Sequence, residues 1–99
     1  MKTLQNPQEL KNILNQKDSE IILLDVRTQA EYESGHINSA INFDISGTDF
    51  ISKIENLDKF KTYILYCQSG GRSKLASILM EQKGLDIINC EFGYISWEE

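Results

Sequence analysis

A chain of 99 residues is long enough for one domain with a single core and too short for two. Apolar residues make up 40% and charged residues 25%, an ordinary balance for a soluble globular domain, and no stretch approaches the roughly 20 apolar residues of a membrane span. Ten basic against fifteen acidic side chains give a net charge of −5 with no Lys/Arg cluster, which argues against nucleic-acid binding and is compatible with a basic protein partner.

The first seven residues lack the apolar segment of a signal peptide, so the cytoplasm is the expected compartment. Asn6, Pro7 and Glu9 read as N-cap, N1 and N3 of a helix whose apolar face is Leu10, Ile13 and Leu14. Residues 21–26 form a continuous apolar strand bounded by Asp25 and Arg27, as suits a parallel strand covered on both faces. Residues 40–43 read as a short strand and 51–57 as a weaker helix. Residues 63–66 read as the central strand, followed by a helix with a broad apolar face of Leu75, Ala76, Ile78, Leu79 and Met80 that stops at Gly84. A last strand at 87–89 closes the sheet. Strands alternating with helices at this pace predict an α/β fold: one small domain with a mostly parallel central sheet, flanked by helices on both faces. Ligands of such sheets bind beyond the carboxyl ends of the strands, where Cys67 and Asp25 both fall.

The segment Cys67-Gln68-Ser69-Gly70-Gly71-Arg72-Ser73 carries the chemistry. A thiol at a strand end is followed by a two-glycine turn and a helix start. Unpaired amides at a helix N-terminus converge on an anion, and the helix dipole favours it further. Both effects favour a thiolate or a persulfide anion over a thiol, and the glycines allow the positive φ that an inward-curling loop needs. Arg72 adds a fixed charge one turn away. Two cysteines, Cys67 and Cys90, make no disulfide framework, and the bland reading of Cys90 is a small buried hydrophobe. The lone His36 has too few partners for a metal site.

This loop resembles the active-site loop of single-domain rhodaneses, sulfurtransferases that carry sulfur as a cysteine persulfide. Leu23-Leu24-Asp25-Val26-Arg27, followed by Glu31-Tyr32-Glu33-Ser34-Gly35-His36-Ile37, is similar to the family's first signature, and residues 88–97, with Gly93 and Trp97, to its C-terminal one. The likeness runs from about Asn6 to Trp97, so residues 1–99 are expected to form one rhodanese-like domain. Two departures stand out: Phe92 precedes a single Gly93 where the family has paired glycines, and the chain stops at Glu99 where relatives finish a last helix, which suggests a trimmed or minimal member. Both are expected to bear on stability and not on the sulfur site.

The resemblance implies a thiosulfate sulfurtransferase without a cofactor. Its substrate would be a small sulfur-containing anion such as thiosulfate, with low-molecular-weight or protein thiols as further sulfur donors or acceptors. Cys67 would attack the outer sulfur, hold it as a persulfide and pass it to cyanide, a thiol or a protein cysteine, a double displacement with ping-pong kinetics. The amides of Gln68, Ser69, Gly70, Gly71, Arg72 and Ser73 would stabilise the anionic sulfur. A binding module on the same fold is one alternative. A phosphatase or arsenate reductase is another, disfavoured because such loops set five residues between cysteine and arginine and this chain has four.

Supporting roles fall to the remaining signature residues. Arg72 either orients the loop and meets the sulfonate end of thiosulfate or pairs with a carboxylate. Asp25 is read foremost as accepting hydrogen bonds from the loop backbone, alternatively as pairing with an arginine. Arg27 either faces the pocket mouth or pairs with Glu31, and Glu33 is within reach of either arginine. His36 is assigned a structural hydrogen bond in preference to acid–base work. Tyr63 and Tyr66 are read as core, and Trp97 as covering a flank of the sheet.

Overall fold

The computed structural model describes residues 1–98; the expected domain's last residue, Glu99, lies outside them. In chain order the elements are β1 (Lys2–Leu4), α1 (Pro7–Leu14), β2 (Ile21–Asp25), α2 (Gln29–Ser34), β3 (Ile41–Asn42), α3 (Phe50–Glu55), β4 (Thr62–Tyr66), α4 (Gly71–Gln82), β5 (Asp86–Cys90) and a 3₁₀ turn at Tyr94–Ser96. Every strand pairing is parallel, in the order β1-β5-β4-β2-β3, so β4 is central as its unbroken apolar run predicted. The expectation that β5 closes the sheet is corrected: β1 pairs outside it, Lys2 opposite Ile88 and Leu4 opposite Cys90. Three residues with one buried side chain, Leu4, leave too little periodicity to announce a strand.

Alternation along β4 separates two core layers. Tyr63, Leu65 and Cys67 pack toward Phe50 and Ile54 of α3 and Ala76 and Met80 of α4. Ile64 and Tyr66 point the other way, toward Leu10 of α1, Ile37 and Ala40, with Tyr32 and Tyr94 packed against them. Cys67 therefore continues the parity of the face that α4 covers.

Local signals account for the helices around this sheet. The Asn6 side chain accepts the Glu9 N–H at 3.1 Å, as read, although the Glu9 carboxylate returns its bond to Gln5 N–H and not to Asn6. Gly84, at φ +85°, ends α4 with the paired bonds Gly84 N–H to Glu81 O and Leu85 N–H to Met80 O. The broad apolar face expected on α4 is corrected. Of that face Ala76 and Met80 are buried and Leu79 packs partly against the core, with Ser73 and Ser77 buried beside them, while Leu75 and Ile78 are 54% and 40% exposed. Among the described residues no helix is long and apolar enough to cross a membrane.

Candidate active site at the carboxyl edge of the sheet

The register sets Asp25 of β2 opposite Tyr66 of β4, so Cys67 leaves the sheet beside Asp25 at its carboxyl edge. The Val26 N–H bonds to Tyr66 O at 3.0 Å and prolongs the pairing into the site. Helix α4 begins with Gly70 as a left-handed N-cap that offers no side-chain cap. The sulfur takes that place. Gly70 N–H donates to Cys67 Sγ at 3.0 Å, and the Ser73 hydroxyl lies 3.6 Å from it. Burial pushes the Cys67 thiol up, but hydrogen bonding with the Ser73 hydroxyl and from the Ser73, Gly70 and Ser69 amides outweighs it and holds the thiol below its ordinary value. Three of the six loop amides expected to stabilise the sulfur thus contribute to that shift.

Both arginines end in carboxylate pairs, and the pairing differs from the expected one. Arg27, 2% exposed, donates from Nε and Nη2 to Asp25, at 2.6 Å for Nη2 to Oδ2. Burial works against its charge, yet bonding to Asp25 raises its pKa. Asp25 also accepts the Arg27 N–H at 2.9 Å and the Tyr66 hydroxyl at 2.7 Å. Of the two roles read for Asp25, pairing with an arginine is the one observed, with Arg27 as partner, and no loop backbone of 68–73 donates to it. The loop is reached one step further on, where Arg27 Nη1 donates to Gln68 Oε1 at 3.2 Å and Nη2 to Gly35 O at 2.6 Å.

Glu31 does not pair with Arg27. Its two oxygens accept from Arg72 Nη1 and Nη2 at 2.7 and 2.9 Å, and that bonding holds Glu31 down to about 2. The same carboxylate closes the capping box of α2, accepting the Thr28 N–H at 3.1 Å. One residue thus fixes both the start of α2 and the guanidinium of the sulfur loop. Glu33 pairs with neither arginine: it is exposed and accepts from Gln29 at 3.1 Å, because α2 turns it away from the loop.

The C-terminal segment clamps the loop from behind. Tyr94 N–H donates to Cys67 O at 2.8 Å and Ile95 N–H to Gln68 O at 3.2 Å. The Tyr94 ring lies 4.4 Å from the Arg27 guanidinium carbon. Gly93 has ordinary extended backbone, but a Cβ there would stand 1.9 Å from Gln68 O. At Gly70, with φ +106°, a Cβ would meet Glu91 O at 2.4 Å, whereas a Cβ at Gly71 would point into open space. Only one glycine of the pair is thus required by the turn. Gly70→Ala and Gly93→Ala are each expected to lower stability by about 1–3 kcal/mol, with Gly71→Ala near neutral, as denaturant melts of the three would show. Equal losses at positions 70 and 71 would contradict this geometry.

The remaining candidates lie apart from the sulfur. His36 Nδ1 is 2.8 Å from Tyr32 O and its ring stacks on Tyr32 at 3.7 Å, the structural role expected of it. It lines a groove with Leu14, Lys17, Asn38, Ser39 and Trp97, to which no residue of 67–73 contributes. Cys90 is buried, its thiol pushed up to about 12 by burial and by the neighbouring Cys67. Tyr63 is core, bonding only outward to Asp58 O. Tyr66, read as core, is also a member of the polar cluster, and its hydroxyl accepts the Ile37 N–H at 3.0 Å. Nothing in an apolar strand sequence marks one buried tyrosine as a link between two loops; the adjoining β2 carboxylate was the available clue.

Comparison with known proteins agrees with this fold. The family model described as Rhodanese-like domain matches residues 6–99. A Bacillus subtilis protein named "Putative sulfurtransferase YtwF" is 36% identical over 81 residues, covering 82% of this chain and 77% of that protein. The tRNA uridine(34) hydroxylase of Aster yellows witches'-broom phytoplasma is 31% identical over 96 residues, covering 92% of this chain but 30% of the hydroxylase. A crystal structure of a rhodanese-like domain protein from Staphylococcus aureus superposes with a TM-score of 0.86 at 28% identity, covering 100% of this chain and 93% of that one.

Proposed function

The chain belongs to the rhodanese-like domain family, and we propose that within it the protein is a sulfurtransferase with Cys67 as the carrier of sulfane sulfur. The observation that carries this reading is the Gly70 N–H at 3.0 Å from a buried Sγ whose pKa is lowered by the surrounding donors. A thiolate or a persulfide anion gains more from such a cradle than a resting thiol does.

With thiosulfate as donor the Cys67 thiolate attacks the outer sulfur. A new S–S bond forms at Sγ, the S–S bond of thiosulfate breaks, and its electron pair leaves on sulfite. An acceptor such as cyanide, a small thiol or a protein cysteine then attacks the outer sulfur of the persulfide and restores the thiolate. The amides hold charge in both halves. Gly93 and Tyr94 brace the loop against displacement during the cycle, since their contacts run to backbone atoms of Cys67, Gln68 and Ser69. We place the reaction in the cytoplasm, where the two free cysteines stay reduced.

Intact mass after incubation with a sulfane-sulfur donor tests the reading. The expected result is a gain of one sulfur atom that is lost on adding cyanide. Folded, reduced protein that takes up no sulfur from either thiosulfate or a persulfide would overturn it.

A further inference from the structure

Resting on the reading of Cys67 as a sulfur carrier, we propose that its donor is an organic persulfide in preference to thiosulfate, and that the Arg72–Glu31 pair and the neutral Gln68 set that choice. Thiosulfate brings its sulfonate bonded directly to the sulfur under attack, so both negative charges must enter the loop together with that sulfur. A persulfide R–S–SH keeps any charged group of R several bonds away. The deciding question is whether a cation is available where the sulfonate would sit.

The chain has two arginines, and each is already committed. Arg27 is buried and bonded to both oxygens of Asp25, and Arg72 binds both oxygens of Glu31. Each pair is neutral, so the four side chains add no net charge to the site. The lysine nearest in sequence, Lys74, lies on the exposed side of α4. Gln68, the next residue after Cys67, is neutral and its side chain is tied to Arg27. Arg27 can only donate, and its Nη1 engages the oxygen of the Gln68 amide at 3.2 Å. A neutral side chain and three amides suit the polarisable end of a persulfide. They offer weak compensation for a dianion approaching a thiolate on a protein of net charge −5.

In the reaction the Cys67 thiolate attacks the outer sulfur of R–S–SH. The bond between inner and outer sulfur breaks, its electron pair leaves as the thiolate RS⁻, and Cys67–S–SH remains. No external oxidant or reductant takes part.

The test measures sulfur loading of Cys67, as kcat/KM in a coupled assay and as intact mass, with glutathione persulfide and with thiosulfate. The wild type is expected to favour the persulfide by about a hundredfold. Glu31→Gln retains the capping of α2, since glutamine serves in a capping box, but leaves the Arg72 charge uncompensated. It is expected to narrow the gap about tenfold by raising thiosulfate kcat/KM. Gln68→Lys, which adds a cation at the mouth without touching Glu31, is expected to shift the ratio in the same direction and carries the test should Glu31→Gln fold poorly. Wild-type thiosulfate kcat/KM equal to or above that for the persulfide would overturn the inference while leaving the sulfurtransferase reading intact. So would an unchanged ratio in folded variants. Loading from neither donor would overturn the sulfurtransferase reading itself and this inference with it.

Discussion

Cys67→Ser is expected to abolish sulfur loading, a fall of about a thousandfold or more, while the variant remains folded. The substitution keeps a small side chain in the cradle formed by Gly70 and Ser73, so the loop has no reason to open. What it removes is the nucleophile: a serine hydroxyl is a far weaker acid than the thiol whose pKa the cradle lowers, and oxygen forms no stable bond to sulfane sulfur. Cys90 offers no substitute. It is buried in the opposite core layer, and its thiol is pushed up to about 12 by burial first and by the neighbouring Cys67 second. Cys90→Ala is accordingly expected to retain the mass gain that Cys67→Ser loses. A Cys67→Ser protein that still acquires cyanide-labile sulfur would place the carrier elsewhere.

Asp25→Ala is expected to lower stability by about 3–5 kcal/mol, enough to unfold much of a domain this size near 40 °C. The loss follows from what is left behind. Arg27 stays 2% exposed with its guanidinium deprived of a counter-ion, and the Tyr66 hydroxyl loses the oxygen it donates to. Removing one partner of a buried pair strands a charge, whereas removing both does not, so Asp25→Leu combined with Arg27→Met should recover part of the stability in denaturant melts. Sulfur loading should not recover with it, because Gln68 and the Gly35 carbonyl lose the donors that Arg27 supplies and the loop loses its tie to β2. Melts of Asp25→Ala that stay within about 0.5 kcal/mol of wild type would show that this cluster contributes little to the fold.

Asp25 and Glu31 also mark the boundary between local and tertiary information. Strand and helix signals that act over a few residues were legible along the chain. The apolar run before Cys67 made β4 central, Asn6 capped α1, and Gly84 stopped α4, because each of these preferences is settled by neighbours within one turn or one strand. The sulfur loop was legible for the same reason: the thiol, the turn glycine and the helix start lie within seven residues, and the amides that lower the Cys67 pKa come from that segment alone. A three-residue strand such as β1 carries no such signal and forms only because the edge of β5 offers it partners.

Charge pairing was settled by packing. By sequence spacing Arg27 and Glu31 are four apart and Arg72 has no near carboxylate, yet the observed pairs are Asp25–Arg27 and Glu31–Arg72, the latter across 41 positions. Spacing cannot rank such pairs, since a carboxylate and a guanidinium attract in any order and the winner depends on which side chains are desolvated together. The same holds for Gly93. Its backbone is extended and unstrained, so nothing local demands glycine; the demand arises where the C-terminal segment crosses behind Gln68 with no room for a Cβ. The sequence by itself determined the parallel α/β frame and the reactive sulfur with its helix-start amides. The tertiary structure decided which charges are neutralised beside that sulfur and what holds its loop in place, because both depend on contacts between segments far apart in the chain.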